Sequence, residues 1–157
     1  MPSPTVALDE ARVSFSQRRW GEACAAFESI EDTYALSPDD LEMWSRSAWW
    51  VGDASVSISV AELAFGALRD ASRNRESIST ALRVALLRIT RGDMTVGTAW
   101  MRRAHGLLHD EPDVVLQAHL AYLEASIGTS SGGELWPETS IAELRDLTQR
   151  DSDRAIV

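Results

Sequence analysis

Three features of the sequence predict an all-α fold built from tandem helical hairpins. Apolar residues recur at helical spacing along nearly the whole chain, and no segment alternates with a period of two in the β-branched residues that strands favour. Helix-ending glycines stand directly before helix-capping aspartates at Gly52-Asp53 and Gly92-Asp93. Small side chains return in register, as they do where paired helices approach closely. With 157 residues the chain can bury one continuous core, and a hydrophobic share of 45% excludes disorder over most of its length.

The periodicity predicts helices near 5–17, 21–34, 38–51, 54–70, 74–91, 94–109, 111–127 and 140–150. Several ends carry their own punctuation. Ser37-Pro38-Asp39-Asp40 offers an N-cap, a proline at the first helical position and acids in the first turn. A joint as short as Gly-Asp makes the two helices it links antiparallel neighbours. Ser140-Ile141-Ala142-Glu143 fits a capping box at the start of the last helix. The run Gly128-Thr129-Ser130-Ser131-Gly132-Gly133 reads as a linker; as a phosphate-cradling loop it would need a following Lys and a preceding strand, and has neither. The expected organisation is a repeat domain over 1–127, a linker over 128–139, and a C-terminal helix and tail over 140–157.

Composition narrows the function classes. Twenty-four acids against fifteen bases give a formal net charge of −9, which repels a phosphate backbone and argues against direct nucleic-acid binding. Every base is Arg. Without Lys there is no Walker-type phosphate lysine and no Schiff-base lysine. The single Cys24 lies in an Ala-rich helical stretch and reads as a buried small hydrophobe. Met1-Pro2-Ser3-Pro4 lacks the basic and apolar regions of a secretory signal, and no apolar stretch has the length of a membrane span. The expected compartment is the cytoplasm, with no membrane partner.

The repeat is read from three sets of positions. Ala11, Ser45 and Ala85 form the first, Ala23, Ser57 and Gly97 the second, and Ile30, Ala64 and Ala104 the third. In each set the shifts are 34 and then 40 residues. Phe27 and Met101 occupy equivalent bulky positions, and Arg18-Arg19 stands in the first unit where Gly52-Asp53 and Gly92-Asp93 stand in the next two.

This pattern resembles the tetratricopeptide repeat, a helix-turn-helix unit of about 34 residues. The match spans roughly residues 5–109, with a fourth first-helix following. Ile30 and Ala61 depart from the family's usual residue sizes, and the second unit is longer by six residues. The resemblance implies a right-handed αα-superhelix and a concave groove lined by first helices. Within that family, Trp44-Ser-Arg-Ser-Ala-Trp-Trp-Val-Gly-Asp53, Ala61-Glu-Leu-Ala-Phe65, Arg83-Val-Ala-Leu-Leu87 and Gly97-Thr-Ala-Trp-Met-Arg-Arg-Ala104 are similar to helical repeats of actinobacterial LuxR-type regulators. The stretch from Leu144 to Asp151 resembles the leader into their helix-turn-helix. The chain is too short to hold their nucleotide-binding or DNA-binding domains.

Carried over from the family, the groove-facing positions are Leu8, Arg12 and Phe15, then Glu42, Arg46, Trp49 and Trp50, then Leu82, Leu86 and Ile89. Arg and Trp are the types enriched at binding hot spots. The partner-binding candidates are therefore Arg12, Phe15, Glu42, Arg46, Trp49, Trp50 and Leu86. Adjacent Trp49 and Trp50 point about 100° apart on a helix, so one of them is expected to leave the hairpin interior; the competing reading packs these aromatics between repeats.

Catalytic signals are missing. His105 and His109 are one turn apart, but no third metal ligand is fixed and no HExxH surrounds them; helix-end histidines on the surface account for them. His119 reads as a wall residue. The acids at Glu31-Asp32 and Asp39-Asp40 surround an inter-repeat joint and have no closed pocket. No nucleophile elbow, Cys–His pair or dinucleotide fingerprint occurs. The expectation is a non-enzymatic scaffold without metal or cofactor, binding a protein or peptide, with a homodimer allowed by the open ends of so short a solenoid. The alternative is a stand-alone or truncated regulatory module of a LuxR-type regulator system.

Overall fold

The computed structural model describes residues 4–33, 36–110 and 112–130. Among them the secondary structure is helical and contains no strand. In chain order the helices are α1 (Pro4–Ser16), α2 (Trp20–Glu28), α3 (Pro38–Trp50), α4 (Ala54–Asp70), α5 (Asn74–Thr90), α6 (Met94–Asp110) and α7 (Val114–Ser130). The all-α expectation holds. The expected helix at 140–150, its Ser140 cap, the stretch Leu144 to Asp151 and most of the linker lie outside the described residues. The chain divides into two compact units, Met1–Thr80 and Ala81–Val157.

One backbone device makes four of the joints. A helix ends on a residue in the left-handed region: Arg18 (φ 57°), Gly52 (φ 87°), Ser72 (φ 57°) and Gly92 (φ 84°). The amide of the next residue reaches back five positions, from Arg19 to Ser14 O, Asp53 to Ala48 O, Arg73 to Leu68 O and Asp93 to Arg88 O, at 2.9–3.0 Å. That is the Schellman closure of a helix C-terminus. The same residue opens the following helix, because its carbonyl accepts from Ala23, Ser57, Ser77 and Gly97 respectively. One residue therefore finishes one helix and starts the next. Asp53 adds a side-chain cap to the Val56 amide at 3.0 Å, and Asp93 a longer one to Val96 at 3.4 Å.

The remaining joints are looser. α2 stops at Glu28, short of the expected 34, and the Ser29 hydroxyl donates to the Ala26 carbonyl; Ser, Asp and β-branched residues beyond it compete poorly as helix formers. α3 starts as expected at Pro38, with Ser37 as N-cap and Asp40 closing a reciprocal capping box. α7 begins at Val114 rather than 111, because Asp113 caps it through the Leu116 amide at 2.9 Å. It continues through Gly128 to Ser130.

The small positions do what their recurrence predicts. Ala11, Ser45, Ala85, Ala23, Ser57, Ala64 and Ala104 are fully buried. Between α3 and α4 the Ser45 hydroxyl donates to the Ser57 carbonyl at 2.8 Å, so side chain touches backbone across the hairpin. The equivalent pair in the second unit is Ala85 and Gly97. A methyl group added to Gly97 would lie 3.2 Å from the Ala85 carbonyl oxygen and 2.5 Å from Ile89 Cγ1. Larger residues fill what the small ones leave: in the first unit Phe27 stacks on Trp44 with ring centroids 6.2 Å apart, within a core that includes Ala7, Leu36, Leu41 and Val60.

Two stability outcomes follow from these contacts. Gly52→Ala lowers the unfolding free energy by about 1 kcal/mol, and Ser72→Gly raises it by a similar amount, because only glycine occupies the left-handed region without a Cβ clash. Gly97→Ala costs about 1–3 kcal/mol through overpacking against Ile89 and Ala85. Urea unfolding of the three variants checks both signs.

Candidate functional site

α3 organises the first unit's surface as well as its core. Its three tryptophans have separate fates. Trp44 is buried against Phe27. Trp49 and Trp50 are both exposed, at 48% and 64%, so the two adjacent rings leave the interior together. Trp50 is not isolated. Trp20, the first residue of α2, stacks on it at 6.0 Å with the planes 16° apart, and Phe15 of α1 meets Trp20 edge-on at 5.3 Å. A tier of Phe15, Trp20 and Trp50 thus runs across three helices, with Trp49 beside it on α3.

Phe15 also borders an open cleft of about 380 Å³, together with Glu42, Met43, Arg46, Arg73 and Thr80 among others. Three of the sequence-derived candidates, Phe15, Glu42 and Arg46, line it together. Arg46 is one turn before Trp50 on α3, so guanidinium and indole share a helix side. The cleft's acids are occupied. Arg73 donates to both Asp39 oxygens at 2.9 and 3.0 Å and pairs with Glu76 at 3.1 Å. Glu42 accepts from the Thr80 hydroxyl at 2.7 Å.

Arg12 has an internal role. Its Nε donates to Asp40 Oδ1 at 2.7 Å and its Nη2 to Oδ2 at 2.9 Å, a bidentate fork joining α1 to α3. Asp40 is 1% exposed and also accepts from the Ser37 amide at 3.1 Å. Burial pushes its carboxyl up, but the Arg12 guanidinium and then the Ser37 contacts outweigh it and hold the pKa below the usual carboxylate range.

The other carried-over positions are scattered. Leu8 packs on the first unit's core. Leu82 is fully buried, which corrects its placement on a ligand-facing wall: its side of α5 is interior. Ile89 packs over Gly97. Leu86 lies in the second unit and is 38% exposed. Sequence reasoning missed Trp20, although its place directly after the Arg18-Arg19 joint could have marked it as a neighbour of the next joint, where Trp50 stands.

Chemistry elsewhere is sparse. The Cys24 thiol is pushed up to about 11, by burial first and then by the Glu28 carboxylate, to which it donates at 3.4 Å; a nucleophilic thiolate needs the opposite environment. His105 and His109 border a cleft of about 300 Å³ between α6 and α7, together with Glu124. Among the described residues no group of three or more His, Cys, Asp or Glu side chains is arranged to hold a metal ion. Nor, among them, is any helix long and apolar enough to cross a membrane.

Fold and surface together define an all-α protein of tandem helical hairpins that presents an aromatic tier and a partly charged cleft. No family model matches the chain, and no curated protein does, so the similarity to LuxR-type regulators rests on the quoted residues alone. A solved structure titled "MamA MSR-1 C2" is similar over 94% of this chain and 98% of that chain, with 12% identity and a TM-score of 0.38. At that TM-score the likeness carries no argument about ligand or partner.

The Arg12–Asp40 fork has a pH signature. Asp40's folded pKa lies below its unfolded one, so the pair stabilises fully above about pH 4, the unfolded carboxylate range, and loses its contribution as pH falls through the depressed folded value. Arg12→Ala costs about 2 kcal/mol at neutral pH, in line with hydrogen bonds to a charged group. The difference from wild type shrinks towards zero in acid. Urea titrations of both proteins across that range measure it, and a pH-independent gap would contradict the assignment.

Proposed function

We propose that the chain is a protein-interaction scaffold that receives a peptide or helix of a partner protein on the aromatic tier and adjoining cleft of residues 1–80. The observation that carries this is the exposure of Trp49 and Trp50 on the helix side they share with Arg46. Two large rings kept in water forgo burial that a folded core would reward, at roughly 25 cal/mol per Å² of apolar surface. A partner that covers them recovers it, and Trp and Arg are the residue types that dominate such interfaces. Phe15 and Glu42 complete the wall. Arg12 serves this surface indirectly, by fixing α1 against α3 through Asp40.

The scaffold reading takes no catalytic step. Acids in the cleft are paired with Arg73 or hydrogen-bonded to Thr80, and the buried thiol is held protonated. Recognition by shape, stacking and a single open charge is what remains for these side chains to do.

The double variant Trp49→Ala/Trp50→Ala tests it. Partner capture from native cell extract is lost, while the helical circular dichroism signal persists and stability falls by only about 1 kcal/mol for the missing Trp20 stack. Trp44→Ala is the contrasting case and costs about 3–5 kcal/mol as a core truncation. Capture that survives the double variant would refute the proposal.

A further inference from the structure

We infer that the partner segment presents a side-chain carboxylate to Arg46 and lays a neighbouring apolar side chain on Trp49 and Trp50. This rests on the scaffold reading and names the chemistry its partner must carry.

The repeat itself supplies the reason. Arg12 and Arg46 are equivalent residues, 34 apart, on the first helices of successive hairpins. Arg12 is saturated by Asp40, which the chain provides from the start of the next first-helix. The residue that stands to Arg46 as Asp40 stands to Arg12 is found by the second shift, 40 residues on, and it is Thr80. Thr80 lines the same cleft as Arg46 but brings no carboxylate, and its hydroxyl is spent on Glu42. Among the described residues Arg46 makes no hydrogen bond or ion pair with any other. The acids that could have served it, Asp39 and Glu76, are held by Arg73. The second hairpin therefore repeats the guanidinium of the first and omits its anion.

In the free protein, water solvates Arg46. Once a partner covers Trp49 and Trp50 and excludes that water, an unpaired guanidinium becomes costly and a matched carboxylate favourable. Asp40 shows which ligand the geometry accepts: a planar carboxylate taking two parallel N–H donors. A phosphate polymer has the same charge sign but meets a chain of net charge −9, whereas one carboxylate flanked by apolar groups meets mainly the local field of Arg46.

The probe is a library of short random peptides, each fused to its carrier through its C-terminus so that only side-chain carboxylates are offered. Panned on the full chain, it is expected to yield Asp- or Glu-containing peptides with an adjacent aromatic or aliphatic residue. Their affinity falls about tenfold or more in Arg46→Gln, as for truncating one partner of a desolvated charge pair. It is abolished in Arg46→Glu and unchanged in Arg91→Gln, an exposed arginine of the second unit. Circular dichroism verifies that each variant is folded, as expected for substitutions of exposed side chains. Selected peptides without acids, or acidic peptides indifferent to Arg46→Gln, overturn the inference; if those peptides still depend on Trp49 and Trp50, the scaffold reading stands. Binding restricted to peptides with a free C-terminal carboxylate or a phosphate also overturns it. Recovery of no peptide at all overturns both readings.

Discussion

The first unit's surface depends on the way its helices are joined. At each tight joint a single residue closes one helix and opens the next, with its predecessor in the left-handed region. This leaves no slack in the loop. Backbone hydrogen bonds hold the last turn of one helix next to the first turn of the following one. The aromatic tier follows from that constraint. Phe15 stands just before the first joint and Trp20 just after it, while Trp50 ends the helix before the second. Rings that are distant along the chain meet because the joints hold helix ends side by side.

The small residues supply the second half of the same constraint. A closure this short holds the two helices of a hairpin near each other along their length, so a bulky residue at the crossing would force them apart. Ser45 against Ser57, and Ala85 against Gly97, are what that distance permits. This is why the recurrence is legible in the sequence: a constraint on backbone separation acts at the same position in every hairpin and selects side chains by size. Gly52 and Gly92 were readable for a similar reason, since the left-handed region selects glycine. Arg18 and Ser72 occupy the same conformation without that marker. The 34-residue shift pointed to Arg18, but nothing in the local sequence pointed to Ser72. The overrun of α2 to 34 and the early start of α7 have the opposite cause. Both are ends where a polar side chain captures a backbone group, Ser29 at one and Asp113 at the other, and many sequence positions offer such a side chain without using it.

The candidate surface was legible in part, and the division is physical. The family resemblance named Phe15, Glu42 and Arg46 as candidates, and all three border one cleft. Exposure of both Trp49 and Trp50 exceeded what adjacency alone required. The fates of Arg12 and Leu82 could not be read from type. Arg12 and Arg46 are the same residue at the same repeat position, yet one is saturated and the other open, because the deciding atom belongs to residue 40 in one case and residue 80 in the other. Helical periodicity reports which side of its own helix a residue occupies. It does not report what the next helix places opposite.

That difference also bears on what the surface can discriminate. In a repeat where every arginine found its acid, the charged groups would cancel and leave only apolar contact, which selects partners weakly. One hairpin with a filled pair and one with an open pair, beside two solvated indoles, combine an energetic anchor with a requirement on charge and geometry. The buried Asp40 fork meanwhile keeps α1 registered against α3, so that the open guanidinium, the cleft wall and the rings hold their spacing before any partner arrives, and less ordering cost remains to be met on binding.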